Sequence, residues 1–414
     1  MHPKLYDRKF ALAFAGNVLF VLANVLLLVH FGRWVHFLDG NELDLGWILG
    51  VGAIPAVLLR PWIGRWIDRL GPRLTWAAGY GLFIMTALTY LLLDRIGPAI
   101  YILRAIAMVA PAIVFTSSLA YIAHMTPPAR LAEAIGTLGA AGLIGIGTGP
   151  LLGDLYLGQA DQRGYGDFVL LFGTAAVVAF AAALTLPFLK PTPPHPEGRR
   201  TAFLAALHTY WPGWSLLICF AFGICMAVQF GFLAKFADAA NIGSLGLYFV
   251  IYSIWAVILR IQFRTLPQRI GRRRLLVIGM SFWALGLVTF AFVDRPLMLI
   301  LPAILCGTGH AFSFPPMTAL VMQSFPTALR GTGSAVALMA LDTGTLGSSP
   351  VIGWIAFHHG YPTMFLTAAA FVAASVVLFW FMAVRQSITP APDDVSETQA
   401  APGSPAPCLE PAQE

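Results

Sequence analysis

Apolar residues along this chain fall in runs of about 20, broken by short polar or charged segments, with neither the alternation of a half-buried strand nor the single stripe of a soluble helix. A helix rises about 1.5 Å per residue, so a run of about 20 crosses a hydrocarbon layer of about 30 Å. The runs place spans at 10–31, 46–64, 74–93, 98–121, 132–155, 168–189, 213–235, 246–263, 275–293, 297–321, 333–357 and 362–384. The pattern therefore predicts an all-α membrane protein with twelve transmembrane helices. The first run is too long for a leader and lacks a small-residue cleavage site before the second, so it reads as a retained helix.

Composition agrees: 58% of the 414 residues are hydrophobic and 11% charged, too little polar surface for a soluble protein of this size. Cys219, Cys225 and Cys306 fall within spans and Cys408 near the end, which predicts apolar filling, not a disulfide framework. Metal-ligand spacing and phosphate-binding glycine loops are both missing, so no cofactor or metal is expected, and no nucleophile, base and orienting partner can be assembled into an enzyme site.

The scarce charges are unevenly placed. With the N-terminus in the cytoplasm, 19 of the 25 Lys and Arg residues lie on that side, including Arg60 to Arg73 and Arg260 to Arg274. Only Arg33, Arg95, Arg163, Lys235 and Arg295 fall outside, and Arg104 within a span. This bias predicts a multi-pass protein of the cytoplasmic membrane with both termini inside. It also accounts for the net charge of +6 without nucleic-acid binding.

Compared with itself at an offset of 200, the chain aligns Gly46 with Gly246, Arg60 with Arg260, Arg69 with Arg269, Gly71 with Gly271, Arg73 with Arg273, Arg130 with Arg330, Pro150 with Pro350 and Gly153 with Gly353. Agreement at such scarce positions indicates a duplicated six-helix unit. Because six is even, both copies enter from the same face and form parallel repeats. The expected organisation is an N-terminal bundle at 1–189, a Pro-rich basic linker at 190–212, a C-terminal bundle at 213–386 and a Pro-rich, disordered cytoplasmic tail at 387–414.

The loop between spans 2 and 3 carries Gly64, Asp68, Arg69, Gly71 and Arg73. Gly64 would let helices approach near the membrane surface, Gly71 permits a tight turn, and Asp68 can accept hydrogen bonds from neighbouring arginines. Twelve spans in two halves with this G-x-x-x-D-R-x-G-x-R loop resemble the major facilitator superfamily, although Pro72 stands where a basic residue is common. The resemblance covers roughly residues 5–386 and implies that the loop latches and releases one face during alternating access; the alternative is that its arginines only fix topology. The second copy keeps Arg269, Gly271 and Arg273 but has Arg264 and Gln268 in place of Gly64 and Asp68, so it is expected to be the weaker latch.

In span 5, Gly145, Gly149, Pro150 and Gly153 resemble the pattern of the drug:proton antiporter branch, with Asp154 replacing its final glycine. The resemblance implies efflux, while close helix packing and a proline kink explain the same residues. Asp154 itself is expected as a solvated carboxylate at the helix end.

Polar groups at membrane depth are costly unless partnered or wet, so they are candidate site residues. Asn17 and Asn24, seven apart, share a helix face and suit either substrate contacts or interhelical hydrogen bonds. Gln229 could hydrogen-bond a solute. Arg104 resembles the buried helix 4 arginine of the family without its usual glutamine and glycine; proton coupling, anion binding and snorkelling are open to it. Asp342 and His310 lie near mid-depth, where each could exchange a proton or serve as paired structural polarity.

These residues predict a secondary active transporter, monomeric in the lipid bilayer, whose partners are protons and a small-molecule substrate. Proton-coupled efflux of a small organic solute is the expected mode. A proton-linked uptake symporter is the alternative, and a transporter-derived membrane sensor or scaffold a more distant one.

Overall fold

The computed structural model describes residues 7–126, 131–158, 162–191, 203–263, 265–326 and 329–385, without the side chains of 68, 131–133, 135, 330, 331, 384 and 385. The expected tail and most of the expected linker lie outside these residues. Those described form helices and connecting turns, with no strand among them.

Helix α1 (Arg8–Phe37) is opened by Asp7, whose carboxylate accepts from the Phe10 amide at 2.8 Å. Helix α2 (Glu42–Leu70) begins with a reciprocal cap in which Asn41 and Asp44 each accept from the other's amide at 3.0 Å, satisfying donors that the helix start leaves free. Then come α3 (Pro72–Thr89), α4 (Pro98–Ala107), α5 (Val109–Met125), α6 (Leu131–Leu157) and α7 (Tyr165–Ala183). The second half holds α8 (Phe203–Thr209), α9 (Ser215–Ala227), a π-helical turn at Val228–Phe232, α10 (Leu233–Ala239), α11 (Gly246–Gln262), α12 (Leu266–Ile270), α13 (Arg272–Phe290), α14 (Ile300–Gln323) and α15 (Arg330–Arg385). The last is two helices joined at a kink at Gly360.

Among the described residues, ten helical segments are long and apolar enough to cross a membrane, and the 17-residue α11 is a shorter apolar companion. Large apolar side chains such as Leu92, Leu155 and Phe292 stand on the outside, as a lipid-facing surface requires. The protein is an all-α, multi-span membrane protein. Gly71 and Gly271 turn the chain between helices with φ of 81° and 86°, and Gly360 repeats the conformation at 80°. A side chain at these positions would be strained, which explains the glycines of the duplicated loop.

In the first half α1 packs on α6 and α7, and α3 on α5 and α7; in the second, α13 packs on α14 and α15, and α9 on α15. The halves meet along two seams, α2 against α15 and α6 against α11, with α1 also touching α10 and the π turn. At the first seam the backbones nearly touch: a Cβ added at Gly46 would lie 2.6 Å from the Ser349 carbonyl oxygen.

Several expected boundaries need correction. Helix α1 continues to Phe37, so Arg33 lies inside a helix and is buried. Lys235, expected at the outer end of a span, lies in α10 and is buried, and Arg60 sits ten residues before the end of α2, away from the loop. Each has an anionic partner that offsets burial. At Gly64 a Cβ would meet nothing within 4 Å among the described residues, so this glycine brings no described helix close.

Candidate functional site

One end of the molecule gathers the segments that follow α1, α6, α10 and the kink of α15; it is called the far face, opposite the N-terminus. Here Arg33 of α1 joins both halves. Its Nη1 donates to Asp154 Oδ1 of α6 at 2.7 Å, while Nε and Nη2 donate to Asp238 Oδ2 and Oδ1 of α10 at 3.1 and 2.9 Å. Arg163, also of the first half, donates to Asp238 from Nη2 at 2.8 Å. Asp154 is therefore not the solvated carboxylate expected: its side chain is 8% exposed, and its other oxygen accepts from the Ser244 hydroxyl at 2.9 Å and the Gly246 amide at 2.6 Å. Beside this cluster, Glu42 of α2 pairs with Lys235 at 3.2 Å and accepts from the Tyr361 hydroxyl at 2.9 Å. Nearly every bond crosses between the halves, so together they form a latch.

His30, one turn before Arg33, is buried beneath it. Arginine can only donate and a carbonyl can only accept. The Arg33 Nη1 bond of 2.9 Å thus makes His30 Nδ1 an acceptor, and the 3.1 Å bond to the Pro150 carbonyl makes Nε2 the protonated nitrogen. A Cβ at Gly153 would collide with this ring, so the glycine gives His30 its place. A second proton, on Nδ1, would confront the Arg33 guanidinium. The charges around it are Arg33 on α1 and Asp154 on α6, with Asp238 and Arg163 beyond Arg33. Acidification is therefore expected to loosen the latch, because the fitting neutral form is lost as pH falls. Spin labels at His36→Cys and Ala239→Cys should move apart at low pH in the otherwise unaltered chain but not when His30→Gln, whose amide keeps one acceptor and one donor, is added. A distance that ignores pH would remove His30 from this role.

Deeper in the molecule, at the α2–α15 seam, Arg60 clasps Asp342: Nε and Nη2 reach Oδ2 at 2.7 and 2.6 Å. At the other seam the counterpart Arg260 has one hydrogen bond among the described residues, from Nη1 to the Gly139 carbonyl at 3.4 Å. Within the second half, His310 shares a hydrogen bond with the Tyr252 hydroxyl and stacks near Trp283, with ring centroids 5.7 Å apart. Tyr248 donates to Gln229 Oε1 at 3.1 Å within the π-turn region, and the Gln229 amide nitrogen has no partner among the described residues. Trp255 donates to Thr308 at 2.9 Å.

In the first half, Arg104 is buried with its guanidinium 4.4 Å from the centroid of the Phe31 ring, a cation–π contact, and no carboxylate pairs with it among the described residues. Asn17 is buried and its Oδ1 has no partner among the described residues, while Asn24 is half-buried; among those residues neither makes the interhelical hydrogen bond that their spacing allowed. The candidates thus fall into three groups: Asp342 with Arg60; His310 and Gln229, joined through Tyr252 and Tyr248, whose rings stack with centroids 5.9 Å apart; and Arg104 against Phe31.

Of the duplicated loop, the Asp68 side chain lies outside the described residues, and Arg69 and Arg269 are exposed. Arg73 donates to the Leu189 carbonyl at 3.1 Å and Arg273 to the Ala383 carbonyl at 2.6 Å. Arg73 therefore ties its loop to the segment just past α7, and Arg273 ties its loop to the last turn of α15. The α6 motif packs on α1: a Cβ at Gly145 would lie 2.7 Å from the Leu22 amide, and one at Gly149 would lie 2.8 Å from the Leu22 carbonyl oxygen. Cys219, Cys225 and Cys306 are free and buried.

Sequence reasoning missed His30, Arg33, Glu42, Lys235 and Asp238. A signal was present in the apolar "WVHF" after Arg33, which allows a longer helix than one ended at the first charge.

The comparisons with known proteins agree with this architecture. The chain is similar to the Escherichia coli K12 protein named "Uncharacterized MFS-type transporter YhhS", 24% identical over 397 residues, covering 92% of this chain and 95% of the relative. Among solved structures it resembles the nucleoside transporter NupG, with a TM-score of 0.72 at 15% identity, over 92% of this chain and 100% of that one. It also resembles a D-xylose–proton symporter, with a TM-score of 0.69 at 16% identity, over 90% and 96%. The Major Facilitator Superfamily matches residues 9–266 and 215–410, and the chain, a membrane transporter and not an enzyme, belongs to it.

Proposed function

We propose that this protein is a proton-linked symporter that takes up a small organic solute by rocking two six-helix bundles about a site between them. In this reading the two arms of α15 count separately and α11 spans, giving twelve crossings; the bundles are residues 1–189 and 213–386. The positive-inside bias makes the far face the outer one, in the cytoplasmic membrane with both termini inside.

The observation that carries the proposal is the latch. Arg33, Arg163 and Glu42 of one half bind Asp238 and Lys235 of the other at a single face, while Arg73 and Arg273 each bind within their own half. Bonds of the second kind let each half move as a body, and bonds of the first kind hold one face shut until they break. Asp342 is the leading proton carrier, with His310 and Arg104 as further candidates, and Asn17, Asn24 and Gln229 are the proposed solute contacts. The Asp68 loop and its second copy act as the opposite gate.

Symport rests on kinship of fold, a protein named a proton symporter having this architecture, and on the expectation that a proton on His30 loosens the outer face. The efflux motif has weaker standing, because Gly145 and Gly149 are explained by the contact of α6 with α1.

The test begins with a comparison of metabolites inside and outside cells with and without the protein, followed by flux of the leading compound in reconstituted vesicles. An imposed gradient, acid at the far face, should drive accumulation away from that face, and a protonophore should abolish it. Accumulation toward the acidic side would establish exchange instead. No flux in either direction from folded protein would refute a carrier.

A further inference from the structure

The duplication supplies an internal control. Arg60 and Arg260 occupy equivalent positions, and Arg60 is matched by the Asp342 carboxylate across its seam. At the same offset of 200 the counterpart of Asp342 is Gly142. The structure completes the comparison: Arg260 crosses the other seam to α6, touches the Gly139 carbonyl one turn from Gly142, and pairs with no carboxylate among the described residues. Its Nε is fully enclosed and has no hydrogen-bond partner among the described residues.

A guanidinium at membrane depth is costly without a counter-charge, and the other seam provides one. Space exists for it here too. A Cβ added at Gly142 would meet no atom of the described residues within 4 Å, whereas one at Gly149, further along α6, would strike the α1 backbone. Gly139 and Gly142 are three apart and so lie on one face of α6, the face that Arg260 approaches. On α11, seven residues before Arg260, the buried Ser253 hydroxyl is also unpartnered among the described residues, about 10 Å away by helical rise.

We propose that Arg260, set against Gly139 and Gly142, anchors the carboxylate of a small organic anion that is the transported solute. The anion takes the part that Asp342 plays for Arg60, and Ser253 meets a polar group further along the same molecule. A guanidinium fork presents two parallel donors to a carboxylate, which gives the site orientation as well as charge. This assignment rests on the carrier reading above and adds its substrate class.

The test uses the purified full chain in lipid nanodiscs and needs no identified substrate. Melting temperature is measured with acetate, lactate, succinate and benzoate, each against its own amide at matched ionic strength. At least one carboxylate should raise the melting temperature by about 5 °C at saturation, with its amide inert. The rise should vanish in Arg260→Gln. It should also vanish in Gly142→Asp, which supplies the missing carboxylate internally and should itself melt no lower than the unaltered chain. Carboxylates no better than amides, or a rise that survives either substitution, would overturn the site. An anion response without gradient-driven flux leaves the site standing and removes the proton linkage. Gradient-driven flux without an anion response does the reverse.

Discussion

Arg33→Gln is expected to unfasten the far face. The substitution removes the only cation that bonds to Asp154 among the described residues and leaves Asp238 with Arg163 alone. Breaking a buried ion pair by deleting one partner costs on the order of 3–5 kcal/mol. Concentrated in one conformation, that shifts a two-state population by roughly two to three and a half powers of ten. Labels at positions 36 and 239 should therefore report a predominantly wide distance without solute, where the unaltered chain gives a narrow one. Gradient-driven flux should fall at least tenfold, since a face that does not close cannot alternate. Adding Asp154→Asn and Asp238→Asn should recover part of the narrow population by removing the stranded anions. A narrow distance retained in Arg33→Gln would show that helix packing, not charge, closes this face.

The Arg60–Asp342 pair should give the second largest effect. Asp342→Asn is expected to abolish gradient-driven accumulation while the protein stays folded in the membrane, because an amide cannot exchange the proton a carboxylate can. It also leaves Arg60 without its anion. Arg60→Met alone should strand Asp342 and lower the melting temperature markedly. The double substitution Arg60→Met with Asp342→Met should melt higher than either single change, because neither charge then remains unpaired. Unchanged accumulation in Asp342→Asn would assign coupling elsewhere, and strictly additive losses would show that the two residues act independently.

What the sequence makes legible here follows from how strict each constraint is. A spanning helix must hide its backbone over about 30 Å, so the apolar runs from Phe10 onward, the helix reversals at Gly71 and Gly271 and the duplication stand out from the residues alone. Helix ends are less strictly constrained. Hydropathy stops a span at its first charge, which put Arg33 in a loop and Lys235 at the outer end of a span, whereas α1 and α10 carry both as buried residues because Asp154, Asp238 and Glu42 meet them from other helices. Partnership across 205 or 282 residues, as in Arg33 with Asp238 or Arg60 with Asp342, leaves no local trace. Asp154 was misjudged for the same reason: depth along α6 put it near a boundary, but not beside Arg33. Gly64 matches the family loop in sequence, yet no neighbouring atom of the described residues stands close enough to require glycine.

The latch has an electrical property that its individual bonds do not reveal. The first half contributes Arg33, Arg163, Asp154 and Glu42, and the second contributes Asp238 and Lys235. Each side is thus neutral as a set, two cations with two anions against one with one. Neutral groups of charges attract through their arrangement, and that attraction fades with distance far faster than the pull between two opposite net charges. Once the faces part by a few ångströms, little draws them back from afar. The closure is a short-range clasp, firm in contact and quickly released, and its strength should depend little on the ionic strength of the medium outside.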